Sequence, residues 1–354
     1  MAGGRVRARL AVWAGIVSFC IATGGPGRLC GDASEREARS FRSAPLSDGV
    51  KLFYDWPAFK GVSLKAVMTV PGAELAASEA EFGFTVAELR EFLIEAEARI
   101  RREFGLSASE IARRVVTSGG GAGWCEVEED PENRFNYVLR SDLSGQPGRA
   151  AEIDGIIRAS RKAWESSQRK IVPRLEKEMR SYLKSRRMVV TPQGIAVDYR
   201  RIVRESRARL APLAAEFMRI CGADQKRLLE AVLSFVQSIP SRPQPPVEGE
   251  RYTAGLAVPL RVLADDSGDC DSKAVLFAAL WTSLCRRRTI LITVQEHMLV
   301  GVAVPFASGS TLELDSIRYV LLEVNCGGRL LPGEVAPYSL DSVSSGRLKY
   351  RIVS

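Results

Sequence analysis

Residues 268–274 read Gly-Asp-Cys-Asp-Ser-Lys-Ala and run into an apolar stretch; the single histidine of the 354-residue chain, His297, follows Cys270 by 27 positions. A thiol and an imidazole in that relation suit nucleophilic catalysis: the thiolate attacks a carbonyl carbon, and the imidazole takes the thiol proton and later hands it to the leaving group. Where a loop enters a helix, Cys270 meets unpaired backbone N–H groups and the positive end of the helix dipole. Both favour thiolate and predict a pKa below the free value of about 8.5. Asp269 is suited to cap that helix by accepting from an N–H near Ser272. The bland alternative is a core cysteine in a first turn, since free cysteine is among the most buried residue types.

Residues 289–304, TILITVQEHMLVGVAV, are rich in β-branched and aliphatic side chains and read as one long strand or two, which would anchor His297 on a sheet. Arg318–Asn325 is a further strand pattern. Its period of two puts Tyr319, Leu321, Glu323 and Asn325 on one face and Val320, Leu322 and Val324 on the other. Glu323 or Asn325 would then accept from one ring nitrogen of His297 and fix its tautomer. Against this stands a lone histidine and an edge-strand acid with no mutual contact. An oxyanion would be met by the Cys270 N–H and by a second donor, Gln237 or Tyr252, each of which also reads as an ordinary polar or packing position. Cys125 is a rival nucleophile at the end of GGGAGWC. That segment lacks the Lys-Ser/Thr of a phosphate loop and reads as a flexible loop.

From about Leu228 to Pro337 the chain carries LLEAVLSFVQSIP, a proline-rich loop, VPLRVLADDSGDCDSKA, HMLVGVAVP and YVLLEVN in that order. This third of the chain resembles a transglutaminase-like domain of the bacterial papain-related cysteine peptidase type. The resemblance implies an α+β, papain-like transglutaminase fold, with the catalytic cysteine at the start of a central helix packed on an antiparallel sheet. It also implies Cys270 as nucleophile, His297 as base and Glu323 as orienter. Family members most often use Asp as the third group, so Glu323 departs slightly, and Asn325 matches the amide of papain-like relatives.

Those residues depend on the elements around them. Ala274–Leu284 is apolar on nearly every face, as in a helix buried on most sides, and Arg286, Arg287 and Arg288 close it at the negative end of the dipole. Ile239–Tyr252, with its prolines, is expected to be an extended wall over the site or a linker. Upstream, Gly61–Pro71 alternates as a half-buried strand, Thr85 with Glu88 and Ser107 with Glu110 form capping boxes, and MVVTPQGIAV reads as a hairpin. Helical patterns fill about 149–187, interrupted at Pro173, and 198–221. The organisation expected is a signal peptide or anchor over 1–30, a mainly helical region of unknown role over 31–225, a catalytic domain over 226–340 and a tail over 341–354.

Arg5, Arg7 and Arg9 precede the 13-residue apolar run Leu10–Ala22 and then TGGPG, the order of a secretory signal. A periplasmic or secreted protein is expected, or one anchored in the inner membrane if the segment stays uncleaved. Four arginines lie in the first 30 residues, where there is no acid, so the remainder carries only +4. Such a charge gives no sign of nucleic-acid binding. The five cysteines after residue 30 show no C-x-x-C spacing, and with one histidine neither a metal site nor a cofactor is called for. Cys285 and Cys326 are candidates for a disulfide in an oxidising compartment. The function expected is an exported cysteine hydrolase, peptidase or amidase, acting on a protein or peptide through a Cys thioester. A cross-linking transglutaminase and a non-catalytic binding module of the same fold are the alternatives.

Overall fold

A computed structural model describes residues 39–103, 125–129, 135–139, 149–295, 297–306, 308–326 and 328–354. The basic and apolar start of the chain, the glycine-rich loop and the Ser107–Glu110 pair lie outside the described residues. No helix among the described residues is long and apolar enough to cross a membrane.

The described chain is α+β, and each of its sheets is antiparallel. It opens with a three-stranded meander, β1 (Ser40–Leu46), β2 (Gly49–Pro57) and β3 (Ser63–Pro71), followed by α1 (Gly72–Ala80) and β4 (Phe84–Thr85). Then come α2 (Val86–Glu103), the hairpin strands β5 (Cys125–Glu129) and β6 (Phe135–Leu139), and α3 (Arg149–Ser185). The hairpin of β7 (Met188–Thr191) and β8 (Gly194–Val197) leads into α4 (Tyr199–Arg209), α5 (Ala211–Cys221) and α6 (Gln225–Ser238). Strands β9 (Val247–Glu248) and β10 (Arg251–Tyr252) precede α7 (Pro259–Asp265) and α8 (Cys270–Leu284). Last come β11 (Thr289–Val294), β12 (His297–Val302), β13 (Thr311–Leu314), β14 (Ile317–Leu322), α9 (Pro337–Ser344) and β15 (Leu348–Ile352).

The described residues divide into two compact units, 39–85 with Leu183–Ser354, and those lying between Val86 and Tyr182. In the second, Phe92 stacks on Tyr182 with ring centroids 4.7 Å apart, and Arg99 pairs with Glu178 at 2.8 Å. The first holds α8 at its centre. Every α8 residue from Ser272 to Thr282 is buried, because the helix packs against α4, α5, α6, α7, β11 and β12 together. An all-round apolar surface is what such surroundings demand.

The main sheet runs β13-β14-β12-β11-β15. On one face Ile290, Ile292, Val294, Leu299, Tyr319 and Leu321 form a buried cluster to which Val335, and Val343 of α9, add. The alternate residues, Leu291, Met298, Val300, Val302, Val320 and Leu322, are equally buried and turn to the α8 side.

The boundary expected at 225 is not where the units divide. β1–β3 and α4–α6 belong with α8: Trp56 of β2 packs on Phe217 and Phe235 and donates to Ser234 Oγ at 3.2 Å. Residues 341–354 are not a free tail, since β15 pairs with β11 along its whole length and Val353 is buried. The helical pattern over 198–221 breaks at Leu210, which ends α4 and caps α5 ahead of Pro212. Residues 289–304 resolve into two strands turning at Gln295, and the strand expected to reach Asn325 ends at Leu322.

Removing residues 347–354 is expected to lower stability by on the order of 2 kcal/mol or more, the scale of one buried aliphatic side chain, as read by urea unfolding of the truncated chain. A stability equal to that of the full chain would contradict the place of β15 in the sheet.

Candidate active site

Cys270 sits where three local features meet. Gly268 N–H donates to Pro240 O at 3.1 Å and Arg242 N–H to Gly268 O at 3.2 Å, so the proline-rich loop pins the segment entering α8. A Cβ at Gly268 would come within 3.2 Å of Val262 Cγ1, which keeps this approach tight. Asp269 Oδ1 then accepts from Ser272 N–H at 2.9 Å as the N-cap, and Ser272 Oγ accepts from Ala257 N–H at 2.9 Å. The first residue of the helix is thereby fixed in place.

His297 opens β12, two positions after Gln295, whose φ is 46°. It shares a sheet face with Leu299 and Glu323, the face that α9 covers. The imidazole Nε2 is hydrogen-bonded to Glu323 Oε1. With a carboxylate as partner Nε2 carries the proton, which leaves the Nδ1 lone pair as the basic site. Glu323 has no solvent exposure; its other oxygen accepts from Ser339 Oγ at 3.0 Å and Ala336 N–H at 3.4 Å. Tyr338 sets its ring edge-on to the imidazole, with centroids 5.6 Å apart.

The thiol reaches the same strand end from α8, but its hydrogen bond goes elsewhere. Cys270 Sγ–H donates to Asp271 Oδ1 at 3.4 Å. Its pKa is displaced upward, against the expectation from the helix N-terminus: burial raises it most, Asp271 and Asp269 raise it further, and the Met298 backbone N–H acts the other way. The structure thus joins His297 to Glu323, and holds the thiol on Asp271.

The other expected residues serve different ends. The Gln237 amide donates both its hydrogens to main-chain carbonyls, Glu323 O at 2.8 Å and Leu330 O at 2.9 Å, so it braces the strand end and does not face an oxyanion. Tyr252 packs on Phe84, its hydroxyl 3.4 Å from Ile195 O. Asn325 accepts from the buried Lys273 Nζ at 3.2 Å, and that ammonium also donates to Ile239 O at 2.9 Å. Cys221, Cys270, Cys285 and Cys326 are all free. Cys285 and Cys326 lie at opposite ends of α8: Cys326 is close enough to Lys273 for its thiol to be influenced, whereas Cys285 follows the last turn. The 12 helical steps between Lys273 and Cys285 span about 18 Å, beyond any disulfide. Cys125 opens β5. Among the described residues no cluster of His, Cys, Asp and Glu could hold a metal ion.

Three participants had escaped the pattern of the sequence: Ser339, Lys273 and Tyr199, whose hydroxyl donates to Asp271 Oδ2 at 2.7 Å. Lys273 alone left a signal, as a cation inside an apolar helix.

Comparison with protein-family models, with curated proteins and with solved structures finds no match to this chain.

Burial, and then the neighbouring Asp271, raise the Asp269 carboxyl to about 6. A raised carboxyl contributes stability that is full below the unfolded value of about 3.9 and is lost as pH climbs through the folded one. Asp269→Asn keeps a capping oxygen and removes the titration. Wild type is therefore expected to lose stability relative to Asp269→Asn as pH rises from about 4 to 7, and urea midpoints across that range measure it. A gap that stays constant would show that Asp269 is not shifted.

Proposed function

We propose that this chain is a thiol-dependent acyl-transfer enzyme of the papain-like transglutaminase fold, an exported peptidase or amidase. The observation that carries the reading is the fully buried Glu323 holding His297 by Nε2 at the end of the strand where the helix of Cys270 begins. A base oriented by a buried carboxylate, on a strand whose next residue, Met298, meets a thiol at a helix N-terminus, suits thioester chemistry. The order Cys, His, acid and the packing of α8 on an antiparallel sheet support the same fold.

In the reaction the thiol proton passes to Nδ1 of His297 and Sγ attacks the carbonyl carbon. The resulting oxyanion meets the Cys270 N–H, which has no acceptor within its own helix. The imidazolium, stabilised by Glu323, protonates the leaving amine, and a thioester remains. Water activated by the same Nδ1 hydrolyses it. An amine in place of water would make the enzyme a cross-linker, and a chain in which Cys270 never leaves Asp271 would be a non-catalytic module of the same fold.

The test uses the full chain with denatured casein as acyl donor and a fluorescent primary amine as competing acceptor. Free amine or ammonia released without dye incorporation is expected, and Cys270→Ala should abolish it. Dye incorporation instead would make the protein a transglutaminase. Release that survives in Cys270→Ala would refute the thiol mechanism.

The third group is separable. Glu323→Gln is expected to cut turnover by ~100-fold or more, as loss of an orienting carboxylate does elsewhere, while Asn325→Ala, which touches Lys273, has a smaller effect. The reverse ranking, in proteins with native circular dichroism, would assign the orienting role to Asn325.

A further inference from the structure

The thiol's resting acceptor, Asp271, is itself held from behind. Tyr199, the first residue of α4, donates its hydroxyl to Oδ2 at 2.7 Å while Cys270 donates to Oδ1 at 3.4 Å. The Arg351 guanidinium of β15 lies 5.8 Å from the centroid of the Tyr199 ring. The Asp271 carboxylate is therefore held at one oxygen from α4, 72 positions away, and meets the thiol with the other. Neighbouring residues on a helix do not normally face one another, so the Cys270–Asp271 contact depends on this clamp and on the helix end. If the acid only complemented the helix dipole it would need no tyrosine behind it.

We propose that Asp271, clamped by Tyr199, is a latch on Cys270: it holds the resting thiol protonated and turned from His297, and breaking that hydrogen bond frees the proton to pass to Nδ1. Both are positioning residues, since neither meets the reacting carbonyl. The step is a proton transfer from Sγ to the imidazole and needs no other reactant. Among the described residues, the charged groups that act on the thiol are Asp269 and Asp271 of the α8 start; Tyr199 of α4 stands behind Asp271 with Arg351 of β15 near its ring, and His297 precedes Met298, whose backbone N–H meets the thiol. Burial and the two aspartates raise the thiol pKa, in keeping with the latch.

The latch rests on Cys270 being the attacking thiol, yet the two ideas fail separately, because alkylation needs no substrate. Iodoacetamide labelling of Cys270 in the full chain, quantified on the Cys270 peptide between about pH 6 and 10, the range of thiol titration, reads the latch alone. Asp271→Asn keeps an acceptor oxygen without the charge. Below the wild-type inflection it is expected to label ~10-fold faster, equivalent to one pKa unit, and Tyr199→Phe to label faster by a smaller factor. An unchanged profile in folded Asp271→Asn would overturn the latch. Should that variant not fold, an unchanged profile in Tyr199→Phe, which lacks a single oxygen, would do the same. A shifted profile in a chain that releases nothing from casein would keep the effect of Asp271 on the thiol and remove the enzyme reading.

Discussion

A carboxylate wholly removed from water is costly unless each of its oxygens finds a donor, and Glu323 is such a group. Much of the local structure answers that demand. His297 supplies one donor, which requires β12 to begin at that residue, diagonal to the end of β14. Ser339 and the Ala336 N–H supply the others, which brings the start of α9 over the same sheet face. Gln237 ties the Glu323 carbonyl to α6. Removing His297 while keeping the charge would leave Oε1 buried without its donor, a costly state for the site.

The second constraint is the burial of α8. A helix enclosed on all sides from Ser272 to Thr282 cannot shift without disturbing several neighbours, so the position of its first turn is set by the packing behind it. The proline-rich loop, the Asp269 cap and the Ser272–Ala257 bond then set the register of that position. What stays adjustable is the thiol rotamer. It has an acceptor in Asp271, and the proposed chemistry turns on its leaving that acceptor for the imidazole of His297.

Short-range features were legible in the sequence. The Asp269 cap, the apolar α8 and the hairpin over 188–197 each follow from residues a few positions apart. The pairing of His297 with Glu323 was open to inference because the chain has one histidine and strand alternation narrowed its partners to two. Features that depend on tertiary contact were not. Nothing local in Ser40–Pro71 announces that Trp56 packs on α5 and α6, or in 348–352 that it completes a sheet. Tyr199 and Asp271 are 72 positions apart with no shared pattern. The acidity of Cys270 went the other way for a related reason. A helix dipole favours thiolate by only ~0.3–1 kcal/mol, whereas burial and the flanking aspartates oppose it.

Covalent capture decides whether Cys270 forms the acyl bond with His297 as its base. The full chain is incubated with a peptidyl vinyl sulfone, an amide-mimic electrophile attacked by activated thiolates, and the adduct is followed by intact mass and peptide mapping. A single adduct is expected, on Cys270, whose formation slows sharply in His297→Ala. Adducts first on Cys326 or Cys125, or a Cys270 adduct formed at the same rate without His297, would contradict it.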